Sequence, residues 1–195
     1  MMVMAMARTA ARSSARERLL AAADELFYDE GIRSVGIDRV IEHAGVAKAS
    51  LYNTFGSKDK LIHAYLKGRH EKVAARISAA VAAAETPRKG LLAVFDAQAA
   101  SYADSGFRGC PFVRASAEAR PGDTVDQTTS QYRAWVRGLF AELAEQAGAS
   151  DPAALARALH MVYDGSIVSA RSDHDPGAGA VARATASVLL DAALG

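Results

Sequence analysis

The chain has 195 residues, half of them hydrophobic and 23% charged, with a formal net charge of +1. This balance suits one globular domain or two small ones and excludes a disordered or collagen-like chain, and the net charge by itself does not mark a polyanion binder. The single cysteine, Cys110, excludes an intrachain disulfide and any multi-cysteine metal cage. No stretch approaches the roughly 20 apolar residues that a membrane span needs. Met1–Ala7 is apolar but short, and its arginines follow it, the reverse of a signal peptide; the expected compartment is the cytoplasm. The charge is uneven. Residues 1–72 hold 12 Lys+Arg against 9 Asp+Glu, and the remainder holds 11 against 13. Arg8, Arg12, Arg16 and Arg18 lie ahead of or within the first expected helix, where Arg8 and Arg12 are either solvated or within reach of a polyanion.

Helical spacing of apolar residues runs through almost the whole chain and predicts an all-α fold of about nine helices. The first spans Arg12–Tyr28, with Leu19, Ala23, Leu26 and Phe27 on one face and Gly31 ending it. Ile37–Ala44 follows, with Ile37, Val40, Ile41 and Ala44 inward. Gly45 marks a tight turn. Lys48–Phe55 is the next short helix, with Leu51 and Phe55 inward. Ser57 caps a long helix reaching about Ala84. Thr86-Pro87 opens a helix to about Asp104. A loop from Gly106 to Pro111 precedes a short helix at Phe112–Ala119. Thr124–Ala147 is long, Asp151-Pro152 starts a helix to about Arg171, and Val181–Leu194 closes the chain.

Two short helices joined by a glycine turn are what a DNA-reading helix-turn-helix requires, here at about 36–55. The first helix braces the second, and the second needs a small-surfaced N-terminus to enter a major groove. Lys48-Ala49-Ser50 fits that need. With Leu51 and Phe55 inward, Lys48, Ala49, Ser50, Tyr52, Asn53 and Thr54 are left outward, a face able to bond phosphates and base edges.

The stretch Arg16–Leu66 resembles the N-terminal domain of tetracycline-repressor (TetR) family regulators. The matching features are A-x-x-L-F-x-x-x-G at Ala23–Gly31, the A-G-V turn at Ala44–Val46 and S-L-Y-x-x-F-x-S-K at Ser50–Lys58. Asp151–Gly165 is similar to the C-terminal dimerising helices of such proteins. The resemblance implies a three-helix DNA-binding head at 12–56 and a ligand-binding and dimerisation body at 57–195. It implies that Lys48, Ala49 and Ser50 approach bases and phosphates, and that Tyr52 and Lys58 contact phosphate. Gly36 stands where the family more often has a capping Thr or Ser, and Asn53-Thr54 replaces a frequent Tyr-His pair. The implied partners are a double-stranded DNA operator, a small-molecule effector and a second copy of the chain. Two heads on a two-fold axis would read half-sites one or more DNA turns apart, on the order of 34 Å per turn.

Phe95, Tyr102, Phe112, Trp135, Met161 and Tyr163 are candidates to line a ligand pocket, with plain core packing as the alternative for each. Cys110, beside Arg108, invites a thiol-sensor reading; a structural cysteine is the simpler one. The small residues Ala154, Ala158, Gly165, Ala170, Ala182 and Ala186 mark possible packing faces of a four-helix dimer interface. His43, His63, His70, His160 and His174 make no recognisable ligand set, and Asp173-His174-Asp175 reads as a solvated loop. No catalytic constellation, phosphate-binding loop or dinucleotide fingerprint is present, so neither an enzyme, a metal site nor a cofactor is expected. A thiol-responsive regulator and a ligand-independent DNA-binding protein remain as alternatives.

Overall fold

The computed structural model describes residues 13–195; Arg8 and Arg12, raised above as polyanion contacts, lie outside them. Among the described residues there are nine α-helices and no strand: α1 (Ala15–Glu30), α2 (Ile37–Ala44), α3 (Lys48–Phe55), α4 (Lys58–Ala82), α5 (Pro87–Ala99), α6 (Pro111–Glu118), α7 (Thr124–Gln146), α8 (Pro152–Ser172) and α9 (Ala178–Leu194). They form two compact units, one ending at Leu61 and one beginning at Ile62, so the division falls within α4.

In the first unit α1 packs against α2 and α3. Its start is set by a capping box: Ser14 Oγ accepts from the Glu17 amide, and the Glu17 carboxylate accepts from the Ser14 amide at 2.8 Å. Leu19, Ala23, Leu26 and Phe27 are buried, as their spacing predicts, and so are Val40 and Ile41 of α2 and Leu51 and Phe55 of α3. One expectation changes. Ile37 is only half-buried, and Ile32 and Val35 in the connecting turn fill the core instead. A helix period says nothing about apolar residues in an irregular turn.

In the second unit α7 packs on α5, α6 and α8, and α9 packs on α5 and α8. Thr86 and Asp151 cap α5 and α8 through their side chains, each followed by a proline in the first turn. Helix α5 stops at Ala99 rather than near Asp104. Ser101 Oγ donates to the Gln98 carbonyl at 2.6 Å, and the following amides bond three residues back, which tightens the chain into turns. Helix α9 starts at Ala178, three residues early, after the Asp175 carboxylate accepts the Gly177 amide at 2.7 Å. Gly179 permits the α5–α9 crossing: a Cβ there would lie 2.3 Å from the Ala99 Cβ. Across the same crossing Arg183 pairs with Asp96 at 2.8 Å, and Arg88 pairs with Asp191.

Candidate functional site

The geometry of α2, the turn and α3 follows from a few local choices. Gly45 closes α2 in the left-handed region (φ 60°, ψ 43°), and the Val46 amide reaches back to the Ile41 carbonyl at 3.3 Å. Only a residue without a Cβ adopts this conformation freely. Arg18 on α1 donates to the Gly45 carbonyl at 3.2 Å and so fixes the turn to the helix beneath it. Arg39 pairs with Glu30, and His43 lies 2.9 Å from Glu25, adding two exposed links between α1 and α2. On α3, Leu51 and Phe55 point inward, and the Arg16 guanidinium sits 5.8 Å above the Phe55 ring.

That anchoring leaves Lys48, Ala49, Tyr52, Asn53 and Thr54 exposed, with Ser50 half-buried. The Tyr52 ring is 46% exposed, a high value for an aromatic with a core beside it. Lys58 is half-buried at the start of α4, where Ser57 Oγ accepts the Lys60 amide at 3.2 Å. Two side chains are engaged on the protein itself. Lys48 Nζ pairs with Asp38 at 2.8 Å, and this hydrogen bond, followed by the carboxylate's charge, raises the Lys48 pKa. Thr54 donates its hydroxyl to the Ser50 carbonyl at 2.6 Å, so its proton is spent within α3. Neither the Asp38 partner nor the Arg18 brace is visible in the spacing of α3. Gly36 caps α2 without any side-chain hydrogen bond, and a Cβ there would meet nothing within 4 Å.

The six pocket candidates separate. Phe95, Phe112 and Tyr163 are almost wholly buried. The Phe112 ring stacks on Tyr132 at 3.6 Å, and Phe95 packs with Phe140 and Tyr163 at 5.7 and 6.3 Å. Trp135 is half-buried beside His70 at 4.8 Å. Each of these four packs against another ring of the second unit. Tyr102 differs: its ring lines an open cavity of about 520 Å³ near the end of α8. Met161 does not join the group at all, being 76% exposed on the outer side of α8. An even apolar pattern around α8 gave no sign of which face meets solvent.

A polar network that the spacing did not disclose runs through this core. Tyr102 and Ser166 hydroxyls lie 2.7 Å apart; Ser166 donates toward Gln98 Oε1, and Gln98 Nε2 donates to the Tyr163 carbonyl at 3.3 Å. The Tyr132 and Tyr163 hydroxyls are 3.3 Å apart. Burial raises the pKa of Tyr132 and Tyr163, and that of Tyr102 to about 12, so all three stay protonated at neutral pH. His160 is only 3% exposed, and its Nε2 has no hydrogen-bond partner, with Asp164 at 3.6 Å. Asp164 is instead held by Arg133 at 2.7 Å.

Cys110 is buried at the start of α6, and burial pushes its thiol up to about 11. The nearby guanidiniums do not reverse that, so thiolate is scarce at neutral pH. Among the described residues no group of three or more His, Cys, Asp or Glu side chains is placed to hold a metal ion, and no helix is long and apolar enough to cross a membrane. Of the small residues on the last two helices, Ala170, Ala182 and Ala186 are used inside the subunit, whereas Gly165 is exposed and Ala154 and Ala158 are half-exposed. Met161 and Val168 on α8 and Val181 and Val188 on α9 are exposed apolar residues, each pair seven apart and so on one helix stripe.

Residues 19–65 match the model for bacterial regulatory proteins of the tetR family. The fold is similar to that of a TetR-family transcriptional regulator from Streptomyces coelicolor, with a TM-score of 0.88 and 34% identity over 93% of this chain and 96% of that one. A putative TetR transcriptional regulator from Streptomyces avermitilis is similar too, with a TM-score of 0.84 and 35% identity over 93% and 98% of the two chains. The HTH-type transcriptional activator FasR of Mycolicibacterium smegmatis is 34% identical over 86 residues, which are 44% of this chain and only 39% of that protein.

Proposed function

The chain belongs to the tetR family of bacterial regulatory proteins, a family of DNA-binding transcriptional regulators, and from that premise we propose that it is a cytoplasmic homodimeric repressor released from a pseudo-palindromic operator by a small molecule. The observation that carries the DNA reading is the outward face of α3, held by buried Leu51 and Phe55 behind it. Lys48, Ala49, Ser50 and Asn53 then meet base edges and phosphates, and Tyr52 and Lys58 grip the phosphate backbone. Thr54 contributes through its oxygen, since its proton is already bonded to Ser50. Lys48 exchanges Asp38 for DNA, which makes part of its affinity the cost of that exchange.

One short helix reads few base pairs, so two heads on a two-fold axis are needed. The exposed apolar residues on α8 and α9, Met161 and Val188 among them, offer a surface for a second copy. Helix α4 contributes residues to both compact units and serves as the lever between them. A ligand that prefers the wrong head spacing by about 1–3 kcal/mol lowers operator affinity roughly 5–150-fold. The cavities in the second unit favour this reading over a ligand-independent DNA binder, and the buried, protonated Cys110 disfavours thiol control. Activation in place of repression would require only a different operator position, and one relative is named an activator.

Met161→Lys combined with Val188→Lys tests the dimer. Light scattering at micromolar concentration is expected to report a dimer for the unmodified chain and a folded monomer with weakened operator binding for the variant. A variant that remains dimeric removes α8 and α9 from the interface.

A further inference from the structure

Two adjoining cavities open between the 104–110 loop, α6 and the end of α8, and they share Arg108, Arg171 and His174 as walls. They differ in charge. The first sets Asp104 and Asp175 beside those three residues. The second, about 430 Å³, adds Arg114 and has no carboxylate among its lining residues. Its remaining wall is largely aliphatic: Val113 from α6 and Ile167 and Val168 from α8, with the buried Cys110 thiol between them. We propose that this second cavity binds a small amphipathic anion, a carboxylate whose head meets the arginines and whose aliphatic body lies on Val113, Ile167 and Val168.

An arginine keeps its charge in such a wall, because it does not give up its proton. A ligand carboxylate accepts paired N–H bonds from the planar guanidinium, which a lysine would offer less well. Two of the three arginines are held in place before any ligand arrives. Arg108 Nη1 donates to the carbonyls of Ser105 and Phe107 at 3.0 and 3.3 Å. The Arg171 stem lies against Gly109, whose φ is +88° and where a Cβ would come within 3.2 Å of Arg171 Cγ. His174, facing both cavities, is the one non-glycine residue with positive φ among the described residues, at 53°. Left-handed backbone at such a residue is strained and is often retained where a side chain must be aimed. The volume falls within the range of about 300–1,000 Å³ found for small-molecule sites. Val168 also belongs to the stripe assigned above to the second copy, so the occupied cavity borders the dimer face. As the effector's site, this cavity rests on the reading of the chain as an effector-released regulator; as a binding site it is testable without DNA.

Calorimetric titration of the full chain with octanoate, octan-1-ol and octyltrimethylammonium makes that test. Octanoate is expected to bind about tenfold or more tightly than either of the others, and to weaken as salt rises. Arg171→Gln is expected to remove that preference, and Val113→Trp, which fills the aliphatic end, to weaken octanoate and octanol together. Equal binding of octanoate and octanol to the unmodified chain overturns the proposal, and so does a folded Arg171→Gln that keeps the octanoate preference. The three probes on the unmodified chain decide the matter even where a variant fails to fold. Operator binding measured alongside separates the two readings. Octanoate bound with operator affinity unchanged leaves the site standing and counts against effector release by it. Failure of octanoate to bind, while some other molecule releases the operator, overturns the site alone.

Discussion

Among the described residues of the unit that ends at Leu61, the buried side chains are apolar throughout: Leu19, Ala23, Leu26, Phe27, Val35, Val40, Leu51 and their neighbours. Inside the unit that begins at Ile62 they are not, since Gln98, Thr128, Thr129, His160 and Ser166 are buried among the aromatics. The two cores therefore specify structure by different means. The small one needs only shape, and its polar groups all work at the surface, as caps, ion pairs and the outward face of α3. The larger one needs each buried donor and acceptor to find its partner, and an unmet partner costs about 1–3 kcal/mol. A core of the second kind responds to protons and to polar ligands, whereas a core of the first kind simply holds its face in position. That division of labour suits the proposal that one unit reads DNA and the other binds an effector.

The contrast can be broken at several points. The largest effect is expected from Leu51→Ala, which empties a fully buried site in the small core and destabilises that unit by about 2–5 kcal/mol. Far-ultraviolet circular dichroism would show partial melting, while fluorescence of Trp135, the chain's one tryptophan, stays native. Simultaneous loss of both signals would mean a single cooperative core. Gly179→Ala should act on the other unit, by about 1–3 kcal/mol, because the new methyl overlaps Ala99 where α9 crosses α5. There the Trp135 signal should move to lower denaturant, and an unshifted midpoint would show that the crossing yields without cost.

The smallest effect is a pH dependence. Burial holds the His160 pKa below its ordinary value near 6.5; Asp164 opposes the shift, and Arg133 and Arg137 add to it. The folded state thus binds this proton less readily than the unfolded chain. Stability is fully present above about pH 6.5 and declines as pH falls below it. His70, lowered by its own burial against a small opposing effect of Glu71, acts in the same direction. His160→Gln should therefore flatten, without abolishing, the decline in Trp135-reported stability between about pH 7 and 5.5. An unchanged slope would remove His160 from the account.

Much of the helical layout was legible because its signals are local. Gly31 and Gly45 end helices, Thr86-Pro87 and Asp151-Pro152 begin them, and each acts within a few residues. The inward pair Leu51 and Phe55 is local in the same way, and it alone determines which side chains of α3 face out. What escaped depends on partners distant in sequence. Tyr102 and Met161 have the same apolar look in the sequence, but one lines a cavity beyond the early end of α5, and the other is exposed on α8, which packs on α7 and α9 through other residues. The network from Tyr102 through Ser166 and Gln98 to Tyr163 joins residues more than sixty positions apart. Cys110 beside arginines suggested reactivity, and its burial, which sequence spacing does not report, points the other way.

The proposed role of the outward face of α3 and the start of α4 is to hold DNA phosphates. It is tested most directly by operator affinity across a salt series, for the unmodified chain and for Tyr52→Ala with Lys58→Ala. Tyr52 is half in solvent and Lys58 lies at the edge of its helix, so both compact units should keep their stability. Each phosphate neutralised by a lysine contributes about 0.9 to the slope of log affinity against log salt. The variant should bind more weakly at every salt concentration, with a slope shallower by about 2 for a dimer carrying two such lysines. Equal affinities and equal slopes would contradict the assignment of this face to DNA.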